Sequence, residues 1–149
     1  MTSQGIDPRG PRFSAGITAV VVLVVIGLAL TGFTAAATII FALQAVVFAI
    51  GAFAGVQRHP YGFLYKRLVR PRLKPPVELE DPRPPTFAQG VGLFVTVVGL
   101  VLALVGVPLA LPIAAAAAFI AAFLNSVFDY CLGCQLYLLL VRSKVIKPA

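Results

Sequence analysis

An all-α integral membrane bundle of four helices, built from two parallel two-helix repeats, is the fold class this sequence predicts. Three observations predict it. First, 60% of the 149 residues are hydrophobic and 11% charged, against roughly 45–50% and 25% in soluble domains. A soluble chain of this length has no core large enough to hide so much apolar surface. Second, the apolar residues gather in four runs, each close to the roughly 20 residues a helix needs to cross the hydrocarbon. Third, a polar motif recurs 74 residues apart, before the first and third runs. Disorder, an all-β barrel and a large soluble catalytic domain are excluded at this level.

Span one, about 13–30, follows a polar segment carrying Arg9 and Arg12. A secretory signal peptide cleaved near Ala35, Ala36 and Ala37 is the alternative, but its apolar stretch is normally only about 7–15 residues. Span two, 35–56, follows the Thr31-Gly32 turn. Residues 57–86 then hold seven basic residues, three acids and seven prolines. Within them Gly62 to Val69 reads as a short interfacial helix, apolar with basic residues interleaved. Span three covers 87–106, Val107-Pro108 makes a turn, and span four covers 109–130. Pro112 falls in the first turn of span four, where its missing N–H costs little. A straight helix from 109 to 141 would be about 50 Å long, too long for the hydrocarbon. A break is therefore expected at Gly133, followed by a second interfacial helix from Gln135 to Val141. The chain reads as one membrane domain, 1–149, with repeat one at 7–70 and repeat two at 81–144.

The twelve basic residues divide as two before span one, seven in the central loop and three after Val141, with none in the two opposite turns. Lys and Arg near membrane ends are retained in the cytoplasm, so both termini and the 57–86 loop are expected there. The loop charge has an obvious partner in anionic lipid headgroups, and nucleic acid is not expected.

The repeated motif is Asp7-Pro8-Arg9-x-Pro11-x-Phe13 and Asp81-Pro82-Arg83-x-Pro85-x-Phe87, five matches in seven positions. Two prolines and a carboxylate make a stiff helix entrance that sets the arginine at headgroup level. Both copies precede a span from the same side, hence parallel repeats. The same offset pairs Gly51 and Gly55, a small-xxx-small packing pair, with Asn125 and Asp129, which share one helix face.

The chemistry lies after span four. Asp129 is the sole acid in an apolar run, and it precedes Cys131-Leu132-Gly133-Cys134, which contains both cysteines. Two cysteines separated by two residues suit a dithiol/disulfide couple or a shared metal. At the cytoplasmic end of a span the reducing pool disfavours a permanent disulfide, which points to a cycling dithiol or a sulfane-sulfur carrier. Cys131 is then the attacking thiolate, stabilised by the N–H groups of the short helix that follows. Cys134 is the resolving thiol, and Asp129 or His59 is a proton handler. In one alternative, Cys131, Cys134 and His59 bind zinc. In another, the protein is a non-enzymatic scaffold or small transport subunit whose Asn125 and Asp129 face meets the other repeat. No phosphate-binding glycine loop and no Ser-His-Asp arrangement is present.

Asp7-Pro8-Arg9, His59-Pro60-Tyr61, Arg70-Pro71-Arg72-Leu73, Pro84-Pro85, Phe87-Ala88-Gln89 and Cys131-Leu132-Gly133-Cys134 occur in this order from Ile6 to Val141. In this the chain resembles a bacterial family of four-helix membrane proteins catalogued only as a domain of unknown function. The resemblance implies a multi-pass protein of the bacterial plasma membrane. It also implies a thioredoxin-like or sulfurtransferase-like partner, with a homo-oligomer as a further arrangement. No activity or cofactor comes with the resemblance, so an oxidoreductase or sulfur-relay role stands on the cysteines alone. A reporter fused after Ala149 should be active only in the cytoplasm; activity confined to the outside would invert the topology.

Overall fold

The computed structural model describes residues 5–147, leaving the two chain ends of the expected 1–149 domain outside the described residues. It is all-helical: α1 Arg9–Leu30, α2 Thr34–Phe53, α3 Pro60–Leu68, α4 Arg83–Leu104, α5 Ala110–Phe128 and α6 Leu132–Arg142. Among the described residues α1, α2, α4 and α5 are long and apolar enough to cross a membrane. Their outward faces carry exposed apolar side chains such as Phe53, Phe94 and Leu104, a surface suited to lipid and not to water.

Helices α1 and α4 start four residues before the apolar runs, at Arg9 and Arg83. Proline fits the first turn because the N–H it lacks has no partner there. The waiting carboxylate does the rest: Asp7 Oδ1 accepts the Arg9 N–H at 3.0 Å and Asp81 Oδ1 accepts the Arg83 N–H at 3.0 Å. α1 packs chiefly on α5 and α2 on α4, while α1–α2 and α4–α5 form hairpins. α3 lies against α1, and α6 against α4.

One end of the bundle gathers the central loop, the N-terminal segment and the cysteine pair. Ile6 and Glu80 exchange backbone hydrogen bonds of 2.9 and 2.8 Å, tying the N-terminal segment to the central loop. Arg12 reaches the Ser126 carbonyl at the end of α5, and the Val56 N–H reaches Thr86 in α4. The closed apolar core lies toward the other end, where Val22, Val25, Phe41, Leu111 and Ala115 interlock.

Two glycines act differently from expectation. The break after α5 is not at Gly133. It is at Asp129, which takes a left-handed φ of 55°, followed by extended Cys131. Asp is among the few non-glycine residues that tolerate that conformation. Gly133 instead lies inside α6, where a Cβ would sit 2.5 Å from Ala88 Cβ and 2.6 Å from its Cα; it is there to let α6 close on α4. Gly55, expected to pack, has φ +93° with nothing near a Cβ. It terminates α2, while Gly51 alone makes the close approach. The two short helices are also slightly longer than expected, at 60–68 and 132–142.

Gly133→Ala therefore sets a helix-propensity gain of roughly 0.5–1 kcal/mol against an overpacking cost of about 1–3 kcal/mol on backbone atoms. We expect net destabilisation, read as a lower thermal midpoint in detergent. Gly90→Ala, whose Cβ would meet nothing within 4 Å, should leave the midpoint unchanged or raise it.

Candidate functional site

The cysteine pair sits where the chain turns from α5 into α6. Asp129 ends α5, the Tyr130 N–H bonds back to the Leu124 carbonyl at 3.1 Å, and Cys131 becomes the N-cap of α6. Its Sγ accepts the Cys134 N–H at 3.2 Å, the job a serine or aspartate oxygen does at other helix starts. The two sulfurs are bonded as a disulfide, with Cα atoms 5.1 Å apart. Both residues are half-buried. Beside them, between α1, α4, α5 and α6, is a cavity of about 240 Å³. Its walls are mostly small: Ala117, Ala118, Ala121, Ala122, Gly92 and Gly133, with Thr18, Gln89, Asn125 and Cys131 supplying polar or sulfur atoms.

A second polar group adjoins the cavity through Gln89. His59, 1% exposed, caps α3 by accepting the Tyr61 N–H on Nδ1 at 3.2 Å. That bond requires an unprotonated Nδ1, so the neutral ring carries its proton on Nε2. The ring and the Gln89 side chain both cover Gly51, where a Cβ would lie 2.8 Å from each. Tyr61 packs edge-on against His59 at 5.2 Å and donates its hydroxyl to Gln44 Oε1 at 2.8 Å. Gln44 Nε2 is buried without a hydrogen-bond partner, and the buried His59 Nε2 and Gln89 Oε1 have only each other. Burial lowers the His59 pKa to about 4, with Gln89 partly opposing it, so the imidazole is neutral at pH 7.

The repeated motifs are anchors. Arg9 clamps Asp7 through Nε at 2.9 Å and Nη2 at 2.8 Å, and also donates to the Lys74 carbonyl at 3.0 Å. Arg83 clamps Asp81 at 3.0 and 2.7 Å. Asp7 alone receives a further bond, from Tyr65 Oη at 3.0 Å. Hydrogen bonding to Arg9 brings its pKa down to about 2 despite burial.

The expected site residues are thus only partly assembled. Cys131 and Cys134 are joined, and Asn125 shares the cavity with Cys131. Asp129 does not border the cavity; its exposed carboxylate lies 3.7 Å from Arg12 Nε, a contact worth roughly 0–1 kcal/mol. It is a helix-end residue at the polar end and not an acid buried within a span. Among the described residues no three of His, Cys, Asp and Glu gather as a metal-binding group, and His59 is committed to α3. Sequence reasoning missed Gln44, Gln89, Tyr61 and Tyr65. The signal for the glutamines was present: each is the only amide in its apolar run, and a polar side chain in a span carries a role by default.

The lowered His59 pKa has a defined sign. A histidine held neutral by folding contributes stability above its ordinary pKa of 6.5, and that contribution is lost as pH falls through about 4. We expect the thermal midpoint to decline between pH 6.5 and 4, and His59→Asn, which can still cap α3, to flatten that segment. The Asp7 contribution is lost in the next window down, below about pH 4 toward 2, and should persist in both proteins.

No curated protein and no solved structure matches the chain. A family model described as Domain of unknown function (DUF4395) matches residues 6–142, nearly the whole length. The features on which the site rests, from the Asp7–Arg9 clamp to the end of α6, all fall within that match, and the chain belongs to this family.

Proposed function

We propose that the protein is a thiol relay of the bacterial plasma membrane, passing electrons or sulfane sulfur through Cys131 and Cys134 at the cytoplasmic end of the bundle. The observation that carries this reading is the bonded pair at the start of α6, with Cys131 as helix cap beside an interior cavity. When the pair is reduced, the Cys134 N–H bonded to Cys131 Sγ and the other free N–H groups of that first turn favour negative charge on Cys131. That makes Cys131 the attacking sulfur. Cys134, three residues on, is placed to resolve a mixed disulfide without any helix having to move.

The exchange partner is a thioredoxin-like or sulfurtransferase-like protein approaching the polar end. His59 holds a proton on Nε2 beside Gln89, which borders the cavity, and serves as the proton handler. Asp129 ends α5 and faces Arg12. The twelve basic residues, all on the end that carries the cysteines, support the cytoplasmic placement.

Membranes treated with reductant should expose two alkylatable thiols per chain, and oxidant should remove both. Cys134→Ser should accumulate a mixed disulfide through Cys131, and Cys131→Ser should abolish it. If neither cysteine changes state under either treatment and Cys131→Ser traps and loses nothing, the relay reading is wrong.

A further inference from the structure

The cavity beside Cys131 shares part of its wall with a groove on the outward apolar surface of the bundle. Val91, Val95 and Leu136 form part of its wall and also part of a larger apolar groove of about 980 Å³ between α2, α4 and α6. Phe53 and Phe94, on the outward surface of their spans, flank that groove, and Gln57, Arg83 and Thr86 mark its polar end. A molecule dissolved in lipid therefore meets the disulfide chamber across one layer of flexible aliphatic side chains.

We infer that the electron acceptor for the Cys131–Cys134 dithiol is a lipid-soluble quinone, with its ring in the chamber beside Cys131 and its hydrocarbon tail along the groove between α2, α4 and α6. The inference rests on the thiol-relay reading and names the acceptor of that relay. Size agrees: about 240 Å³ is below the roughly 300–1,000 Å³ of drug-sized pockets and suits one substituted ring, while the groove takes the chain. The polar groups agree as well. A quinone oxygen accepts a hydrogen bond and the corresponding hydroquinone hydroxyl donates one. Gln89 offers both functions in one amide, its end torsion is soft, and Asn125 offers them again across the chamber. Gln89 Oε1 and the adjoining His59 Nε2–H have only each other in the protein, which leaves the Gln89 amide N–H to face the chamber.

The chemistry balances without a further reagent. The Cys131 thiolate adds to the ring and the Cys134 sulfur then attacks Cys131 Sγ, forming the S–S bond and releasing the ring. Two S–H bonds are lost, one S–S bond is made, and two electrons and two protons leave on the hydroquinone. The dithiol is oxidised and the quinone reduced, and a reduced dithiol partner protein restores the thiols by thiol–disulfide exchange, its own pair becoming the disulfide.

The test uses the full chain in phospholipid nanodiscs, reduced, freed of reductant and kept anaerobic. A benzoquinone bearing a decyl tail is added, and hydroquinone is read by absorbance with thiols read by alkylation mass. We expect one hydroquinone per chain and loss of both thiols. Gln89→Leu and Ala121→Phe, which fills the chamber, should each lower the quinone rate at least tenfold relative to the rate with a soluble disulfide. If the soluble disulfide oxidises the pair and the quinone does not, the quinone inference fails and the relay survives. If neither oxidises it, both fail. A stable quinone adduct in place of hydroquinone, or unchanged rate ratios in both variants, also overturns the assignment.

Discussion

Hydrocarbon supplies no hydrogen-bond partners, and that single constraint arranges this molecule. Each backbone group within a span must be satisfied inside its own helix, and each side chain that needs water, charge or a cap is driven to an end. Here it is always the same end. The two opposite turns contain no charged residue, whereas all twelve basic residues belong to the segments that meet at the other end. Close packing is consequently free to dominate the turn half, where Val22, Val25, Phe41 and Ala115 are fully buried. The polar half contains everything that a lipid-filled environment would penalise, namely Gln44, His59, Gln89 and the cysteine pair.

The 74-residue offset relates more than the motif that reveals it. α1 and α4 are both 22 residues long, begin at matching Asp–Arg clamps and end before Gly32 and Gly106, with φ of 91° and 90°. Gly55 and Asp129, matched by the same offset, both leave their helix with positive φ. The differences fall at the polar end. Tyr65 bonds Asp7, but the position matching it is Leu139, so Asp81 lacks that bond and stays more exposed. Gly51 admits the His59 ring, while its counterpart Asn125 borders the chamber. His59 itself matches Gly133, which admits Ala88 instead. One half thus carries a buried neutral imidazole, the other a disulfide, and Gln89 touches the surroundings of both.

What was legible in the sequence follows from the same physics. Span number, the hairpin turns, both short helices and the cysteine pair at a helix break are carried by composition and local chain chemistry, which a linear reading sees. Which helix face meets which neighbour was not legible. In a soluble helix polar residues mark the outer face, but lipid-facing and core-facing positions here are alike apolar, and the 3.6-residue period is nearly silent. Gly133 shows the cost. A glycine that ends a helix and one that admits a neighbouring backbone look the same in sequence, and only the position of Ala88 tells them apart. Asp129 was misplaced for a related reason, since its left-handed backbone, not its charge, is what the chain uses. Tyr65 with Asp7 and Tyr61 with Gln44 are long-range contacts with no local signature.

An unpartnered buried polar atom costs about 1–3 kcal/mol, and inside a membrane no water is at hand to lower that cost. Gln44 Nε2 is such an atom, and His59 Nε2 and Gln89 Oε1 have only each other, in the half of the bundle that also holds the chamber. Thr96, buried at a comparable depth in α4, shows the inexpensive solution: its hydroxyl donates to the Gly92 carbonyl within its own helix at 2.6 Å. A long amide at position 89 has no such local outlet, and its neighbour His59 has already committed Nδ1 to Tyr61. Gln89 meets the buried His59 ring, a contact that a leucine of similar volume would leave without a polar atom. What an amide provides and leucine does not is a donor and an acceptor placed between a protonated Nε2 and the space beside Cys131. The amide at position 89 thus joins the two polar features of this half of the bundle, the buried imidazole and the space beside the cysteine pair.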